Sequence, residues 1–557
     1  MSAAATQGAA GKQGAAGNQG AAGKQRRGNW RPGAAGVLLL GATAALVGVS
    51  AAGGSGAAPP SVPIPRAEVP AGTHTAVCPG PPRLPGDSGD SPGGDPLISP
   101  VSSTAKTLAT AIVLSDRGGT LPAAALVPLG PGSPLSVSSE RSGTAVLGSG
   151  NPSGSSSGDV GTDRTAAVAR GSAVDAPSLF RSDPMGGNAP VAGATLTYTA
   201  DDGDLRGLAA SSCQAPSNDM VLLGGATEVG DSSVLVLTNP TDIPAAVDLE
   251  FFGADGPVEA AGTGGHLVPP GESREVVLAG LAGSQEHLAV RVRSDGGRVS
   301  AVIQQSVLRG LTPGGIELLA PSAPAALEQV IPGVVLQNAD TARTIRGQEG
   351  YAAASPALQV LVPGSTDAVL DIRIFGADGE VPLPEGGTTT AAAGSVSTVA
   401  LEDLAEGTYT VSIAADVPVA AAVRVSRGVT AGAPVDFGSA PAAERLGSEH
   451  AVVLADGVDV QLVFGAPEDG AEVSLTPVGA DGVLGDPRVV GLAGTTSVTV
   501  PASSFGPDAV AVIVGATGGS VFGAQVATLG GNTAGVSVSA IPEAPNGKKS
   551  IPVELRY

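Results

Sequence analysis

Two cysteines are the residues of this chain best suited to covalent chemistry: Cys78, in Val77-Cys78-Pro79-Gly80, and Cys213, in Ser211-Ser212-Cys213-Gln214. No His-containing motif accompanies either, which argues against a thiolate nucleophile. In an exported chain a lone pair of cysteines reads most simply as one disulfide, the other reading being two buried thiols. Three aspartates come next. The phrase Phe-Gly-Ala-Asp-Gly occurs at Phe252–Gly256 and Phe375–Gly379, and a third copy with Val478 in place of Phe runs to Gly482. Asp255, Asp378 and Asp481 could serve as metal ligands. Each is followed by a glycine (Gly256, Gly379, Gly482), and Asp-Gly between alternating segments is hairpin chemistry, because both residues tolerate positive φ. We therefore read all six residues as markers of turns in a repeat.

The remaining motifs match by letter and not by setting. Asp201, Asp202 and Asp204 suggest a calcium loop weakly. Asp87, Asp90 and Asp95 lie in a Pro/Gly-rich stretch without the loop's glycine placement or closing glutamate. His74, His266, His287 and His450 show no metal spacing. Gly154-Ser-Ser-Ser-Gly158 fits G-x-S-x-G in a flexible polar loop, and Ser103-Thr-Ala-Lys106 fits S-x-x-K without its partner motifs. No phosphate-binding loop is present. Glycan platforms are sparse, with one Trp (Trp30) and four scattered Tyr (Tyr198, Tyr351, Tyr409, Tyr557). The expectation is no catalytic residue, no metal and no cofactor.

The elements that carry these residues follow from composition and period. The chain has 557 residues, 83 Gly, 46 Pro and only 2% aromatics, yet 42% hydrophobic residues. Part of it is linker, and the rest is a core of Val, Leu and Ala. Residues 1–65 carry Lys12, Lys24, Arg26, Arg27 and Arg31 and no acid. The remainder has 24 Lys and Arg against 51 Asp and Glu, a net charge of −27. Such a body repels nucleic acid, which is set aside as a partner.

Residues 7–25 repeat Gln-Gly-Ala-Ala-Gly-Lys/Asn, and the basic cluster before Arg31 precedes an uncharged stretch with an apolar centre at Val37–Val49. Bases before an apolar run, with acids only after it, place the N-terminus inside and the body outside a membrane. The segment 34–52 is long enough for a minimal span, and its apolar centre is also typical of a cleaved signal. Both readings stay open: a single-pass anchor, or a secreted body.

The body reads as all-β. Short Val/Leu/Ala runs such as Ala111–Leu114, Val247–Phe251, Val369–Ile374 and Ala509–Val514 recur about every ten residues with Gly/Asp/Pro turns. The repeated phrases lie 123 and 103 residues apart, which suits domains and is too long for propeller blades. The expected architecture is tandem immunoglobulin-like antiparallel β-sandwiches, with a propeller as the second reading. The divisions are 1–33, a disordered cytoplasmic arm; 34–52, the membrane segment; and 53–104, a Pro/Gly/Ser-rich tether with at most an edge strand near Cys78. Then come 105–225, a first β domain closed by the disulfide; sandwich repeats at 231–325, 326–430 and 440–540; and a tail, 541–557. One short helical turn is expected at Ser322–Gln329.

Val77-Cys78-Pro79, Ser211-Ser212-Cys213-Gln214-Ala215-Pro216, Met220-Val-Leu-Leu-Gly-Gly225, Leu235-Val-Leu-Thr-Asn-Pro240 and Val247-Asp248-Leu249 together resemble an actinobacterial family of exported, single-pass, β-rich cell-envelope proteins of unknown function. The resemblance spans about residues 35–540, with Met220 where an aromatic is expected. It implies paired cysteines and an extracytoplasmic β-rich body, and supplies no catalytic residue or ligand. The function expected is a membrane-tethered envelope scaffold or interaction module, not an enzyme, with an envelope protein or glycan as partner. The alternative is a glycan-processing enzyme, or its accessory subunit, whose site is assembled from dispersed carboxylates.

Overall fold

The computed structural model describes residues 66–84, 101–130, 132–138, 164–383, 386–531, 533–544 and 549–552. The arm 1–33, the segment 34–52, Asp87, Asp90, Asp95 and Gly154–Gly158 lie outside the described residues. Two units divide the chain, Ala67–Ile551 and Met1–Arg66 with Pro552–Tyr557. In the second, Arg66 and Pro552 are described, as ends of the short strands Arg66–Val69 and Lys549–Pro552. Among the described residues no helix is long and apolar enough to cross a membrane.

Alternation builds the strands of the first unit. Val247, Leu249 and Phe251 point into a core while Asp248 is exposed and Glu250 half-buried. Leu370, Ile372 and Ile374 do the same against Asp371 and Arg373. With period 2 and one wet face, such segments pair antiparallel and stack in twos.

The unit contains four copies of one sandwich with eight strands in common; the second and third add a short strand after the Asp-Gly turn, Gly256–Val258 and Gly379–Val381. In the second, the strands are Asp219–Gly225, Asp231–Thr238, Ala245–Gly253, His266–Val268, Ser273–Val277, Leu288–Gly296, Ser300–Arg309 and Thr312–Leu319. The first, sixth, third and fourth strands form one sheet, and the fifth, second, seventh and eighth form the other. The fourth sandwich repeats this order with His450–Val453, Asp459–Ala466, Ala471–Gly479, Arg488–Leu492, Thr496–Pro501, Ala509–Gly518, Phe522–Thr528 and Val536–Ala540.

The third sandwich does the same with Ala326–Leu336, Ala357–Leu361, Ala368–Gly376, Thr388–Ala391, Val396–Ala400 and Val435–Pro441. Its sixth and seventh strands are the two halves of one 22-residue strand, Gly407–Gly428. The first β domain is also a full copy: His74–Cys78, Lys106–Leu114, Ala124–Pro128, Leu135–Ser138, Ala166–Ala173, Ser178–Ser182, Ala192–Ala200 and Gly207–Ser212.

Several expectations change. The first sandwich begins at His74, inside the stretch read as tether, because its opening strand is needed to complete a sheet. Asp219–Gly225, assigned by composition to the first domain, opens the second sandwich. Ser322–Gln329 is not helical; among the described residues the α-helix is Ala339–Arg346, capped by the Asn338 side chain on the N–H groups of Asp340 and Thr341. The sandwich is antiparallel as expected, but its order differs from an immunoglobulin domain. There, strands C, F and G share a sheet. Here the seventh strand leaves the sixth and pairs with the second in the opposite sheet.

Cys78 and Cys213 form a disulfide across a sequence separation of 135. Cys78 ends the first strand and Cys213 follows the eighth, so the bond staples one sheet to the other within a core that includes Ala109, Val113 and Phe180.

Four apolar seams close the sandwiches into a cycle. Leu196 and Tyr198 of the first meet Ile316 and Leu318 of the second. Val221 and Phe252 meet Leu361 and Ala420 of the third. The third packs on Val526 and Val538 of the fourth, and Ala451 and Ile513 of the fourth return to Ile112 and Leu114 of the first. The four eighth strands adjoin one another in the same cyclic order.

Candidate functional site

Each eighth strand is short and nearly all buried: Gly207–Ser212, Thr312–Leu319, Val435–Pro441 and Val536–Ala540. Two of them carry an acid inside the apolar run. Asp436 is 1% exposed and Glu317 is 1% exposed.

The Asp436 carboxylate accepts main-chain N–H groups from all four eighth strands. The donors are Leu208 (2.9 Å), Ile316 (3.1 Å), its own neighbour Phe437 (3.0 Å) and Val536 (3.3 Å). Glycines make the approach possible. A Cβ on Gly207 would lie 2.9 Å from Asp436 Oδ1, and one on Gly315 only 2.2 Å away. Both have positive φ, 148° and 106°. Thus Gly207, Gly315, Asp436 and Gly535 each precede a donating amide, and the third strand alone supplies a side chain there.

One residue beyond Ile316, Glu317 accepts Leu318 N–H at 2.9 Å and the Ser537 hydroxyl at 2.8 Å. Ser537 Oγ in turn accepts Ala210 N–H at 2.8 Å, tying the fourth strand to the first. Burial dominates both acids. It pushes Asp436 up to about 7 despite four amides that favour the anion. It raises Glu317 well above the usual range, and the nearby Asp436 adds to this.

Two carboxyls of unequal proton affinity are what a general acid and base require, and what a glycosidase uses. Here neither faces solvent or lines an open cleft, so no substrate atom can reach them. What the arrangement does is mechanical: one side chain gathers a donor from each of four modules.

The residues singled out by sequence lie elsewhere. Ala254-Asp255 is the two-residue loop between the paired Gly253 and Gly256, and Ala377-Asp378 is the same loop between Gly376 and Gly379. Gly256 and Gly379 have φ of 128° and 122°. The third copy also turns, with Gly482 N–H on Gly479 O at 2.9 Å and Val483 N–H on Asp481 Oδ1 at 3.0 Å. It then does something the others do not. Gly482 O accepts Ala166 N–H at 2.8 Å, docking the fourth sandwich on the first.

Asp202 and Ser103, read as unrelated weak motifs, are partners. The Asp202 carboxylate accepts the hydroxyls of Ser102, Ser103 and Thr104 and the N–H groups of Ser103 and Thr104. These donors, the Ser102 hydroxyl foremost, hold its carboxyl well below the usual range. Full ligation by protein donors makes it a loop fastener. Among the described residues no group of three or more His, Cys, Asp or Glu could hold a metal.

Open clefts exist at the seams. One of about 480 Å³ between the first and fourth sandwiches, reached also by Arg427 of the third, is lined in part by Arg170, Asp456 and Asp459. Its Asp456 is held by Arg170 at 2.9 Å.

Asp436 and Glu317 were missed by the motif search. The signal available was a single acid interrupting an apolar run, in Val435-Asp436-Phe437 and Ile316-Glu317-Leu318.

A model of a family of unknown function (DUF5719) matches residues 168–503, more than half of the chain. The match starts in the fifth strand of the first sandwich and ends just past the fifth of the fourth. No curated protein and no solved structure matches.

Proposed function

The chain belongs to that family of unknown function (DUF5719), and we propose that it is a membrane-tethered, extracytoplasmic scaffold or interaction module of the cell envelope, without catalytic activity. One observation carries the reading: the strongest pair of perturbed acids, Asp436 and Glu317, is spent on holding four sandwiches together. A rigid platform whose buried chemistry is turned inward suits presentation of surfaces rather than turnover. Two features support the location. The basic and apolar order of residues 24–52 is that of an inside-to-outside segment. The Cys78–Cys213 disulfide suits an oxidising compartment.

The glycan-processing alternative needs two free carboxylates across a cleft. The seam cleft offers Asp456 and Asp459, of which Asp456 is paired with Arg170. Crosslinking in intact cells followed by pulldown tests the scaffold. Recovery of defined envelope proteins at stoichiometric yield is expected. Recovery of the bare protein, together with hydrolysis of envelope glycans that an Asp459→Asn variant abolishes, would transfer the case to the enzyme.

A further inference from the structure

Arg424 is a buried cation with no carboxylate beside it. It lies in the second half of Gly407–Gly428, 6% exposed, on the same face as Ala420 and Ala422, which pack on the second sandwich. Val423 and Val425 turn the other way, into the third core. Among the described residues no ion pair includes Arg424. Its guanidinium stacks on Phe437, 4.6 Å from the ring centre, and its Nε and Nη2 have no hydrogen-bond partner. A guanidinium does not shed its proton, so the cost of burial must be met by other groups.

The ladder places two more unspent groups around it. Arg424 stands opposite Ser439, and Ser426, two residues on, stands opposite Phe437. The four side chains share one face, in a patch about 5 by 7 Å from strand spacing and rise. The hydroxyls of Ser426 and Ser439 are buried and unpartnered. The second sandwich closes over them: a Cβ on Gly224 would lie 3.3 Å from Ser439 Oγ. The charges around the patch can be counted. Asp231 is the acid that acts most on Arg424, acts on Arg309 as well, and accepts Gln305 Nε2 at 3.2 Å. Arg309 stacks on Tyr351, 4.6 Å from the ring centre, and also makes no ion pair. Glu228 and Glu286 are exposed, and burial holds the nearby His287 imidazole toward its neutral form. Two buried guanidiniums thus share one carboxylate, which leaves one positive charge in the seam.

We propose that Arg424, Ser426 and Ser439 form a binding site for one small monovalent anion of chloride size, held at the seam between the second and third sandwiches. The donor set decides the class. Guanidinium N–H groups and two hydroxyls all have hydrogens to donate, and an anion accepts them while cancelling the remaining charge. A water molecule meets the hydrogen bonds and leaves the charge. A metal cation is repelled, and a divalent oxyanion brings a second negative charge that no cation matches. The site is assembled only while the seam is closed, so the anion binds the folded chain and stabilises it by mass action.

The test uses chloride and bromide on the full chain. In urea unfolding at fixed ionic strength, chloride replaces gluconate, an anion too large for the patch. The unfolding constant is expected to fall about tenfold for each tenfold rise in chloride above the dissociation constant. Crystals grown in bromide should show anomalous density within hydrogen-bonding reach of Arg424 Nε and Nη2. An Arg424→Met variant keeps an apolar stem over Phe437 and should lose the chloride dependence. If it does not fold, Ser426→Ala with Ser439→Ala keeps the charge and should move the dependence to at least about tenfold higher chloride, as two lost hydrogen bonds to an ion require. Stability that is the same in chloride and gluconate overturns the site, as does a chloride dependence that a folded Arg424→Met retains or that the serine pair leaves unmoved. Density at Arg424 that is water, or the Asp231 carboxylate, overturns it too. Bromide density without a chloride effect in solution is binding at crystal concentration only and counts against the proposal.

Discussion

Asp436 accepts the main-chain N–H of Leu208 at 2.9 Å across 228 residues of chain. The bond joins the third sandwich to the first where their eighth strands meet. Truncating this side chain, Asp436→Ala, leaves four N–H groups without their acceptor in a dry interior. Unsatisfied buried donors cost roughly 1–3 kcal/mol each before relaxation, so a loss of at least about 3 kcal/mol is expected in urea unfolding.

The glycines at this centre should be far less tolerant than those in the hairpins. Gly315→Ala forces a methyl to 2.2 Å from Asp436 Oδ1 at a φ of 106°. Gly256→Ala meets nothing within 4 Å and has only its φ of 128° to contend with. Thermal unfolding should show a penalty of roughly 1–2 kcal/mol for Gly256→Ala, from backbone strain alone, and clearly more for Gly315→Ala. Equal shifts would mean that the close approach at Gly315 is not maintained in solution.

Reducing the Cys78–Cys213 bond frees a loop of sequence separation 135. On the chain-entropy argument this costs about 4–5 kcal/mol. Because Cys78 lies on one sheet and Cys213 beside the other, the loss should centre on the first sandwich. Unfolding with and without reductant measures it, and mass spectrometry of the non-reduced protein should find the two peptides linked.

Asp202 sets an acid limb of its own. Its carboxyl is depressed below its ordinary 3.8 by the Ser102, Ser103 and Thr104 donors. The attachment it provides is therefore complete above that value and is lost as pH falls through the lower, folded one. Limited proteolysis near Val101–Ala105 should quicken only at strongly acid pH. In Asp202→Asn it should be quick at neutral pH too.

Much of the fold was legible in local pattern. The alternation at Val247–Phe251 and Val369–Ile374 identified strands and their wet faces, and Asp-Gly identified turns, because both are properties of a few consecutive residues. The fourth copy was not, since no Phe-Gly-Ala-Asp-Gly phrase marks the passage between Ala124–Pro128 and Leu135–Ser138. Nor was the continuity of Gly407–Gly428, whose exposed middle between Tyr409–Ile413 and Val419–Val425 resembles a turn. The centre was hidden for a stronger reason. Asp436 finds its partners 100, 120 and 228 residues away, and nothing beside it in sequence announces four strands converging. Met220, where an aromatic was expected, sits 9% exposed in the second core, its thioether filling the place.

Beyond the four apolar seams, one carboxylate ties all four eighth strands together, and the sandwiches unfold as one body. Equilibrium unfolding followed by two probes, one in the first sandwich and one in the third, tests it most directly. The unmodified protein should give coincident transitions, and Asp436→Ala should separate them, with the first sandwich and the third unfolding at different denaturant concentrations. Coincident transitions with an unchanged midpoint in Asp436→Ala would contradict the claim.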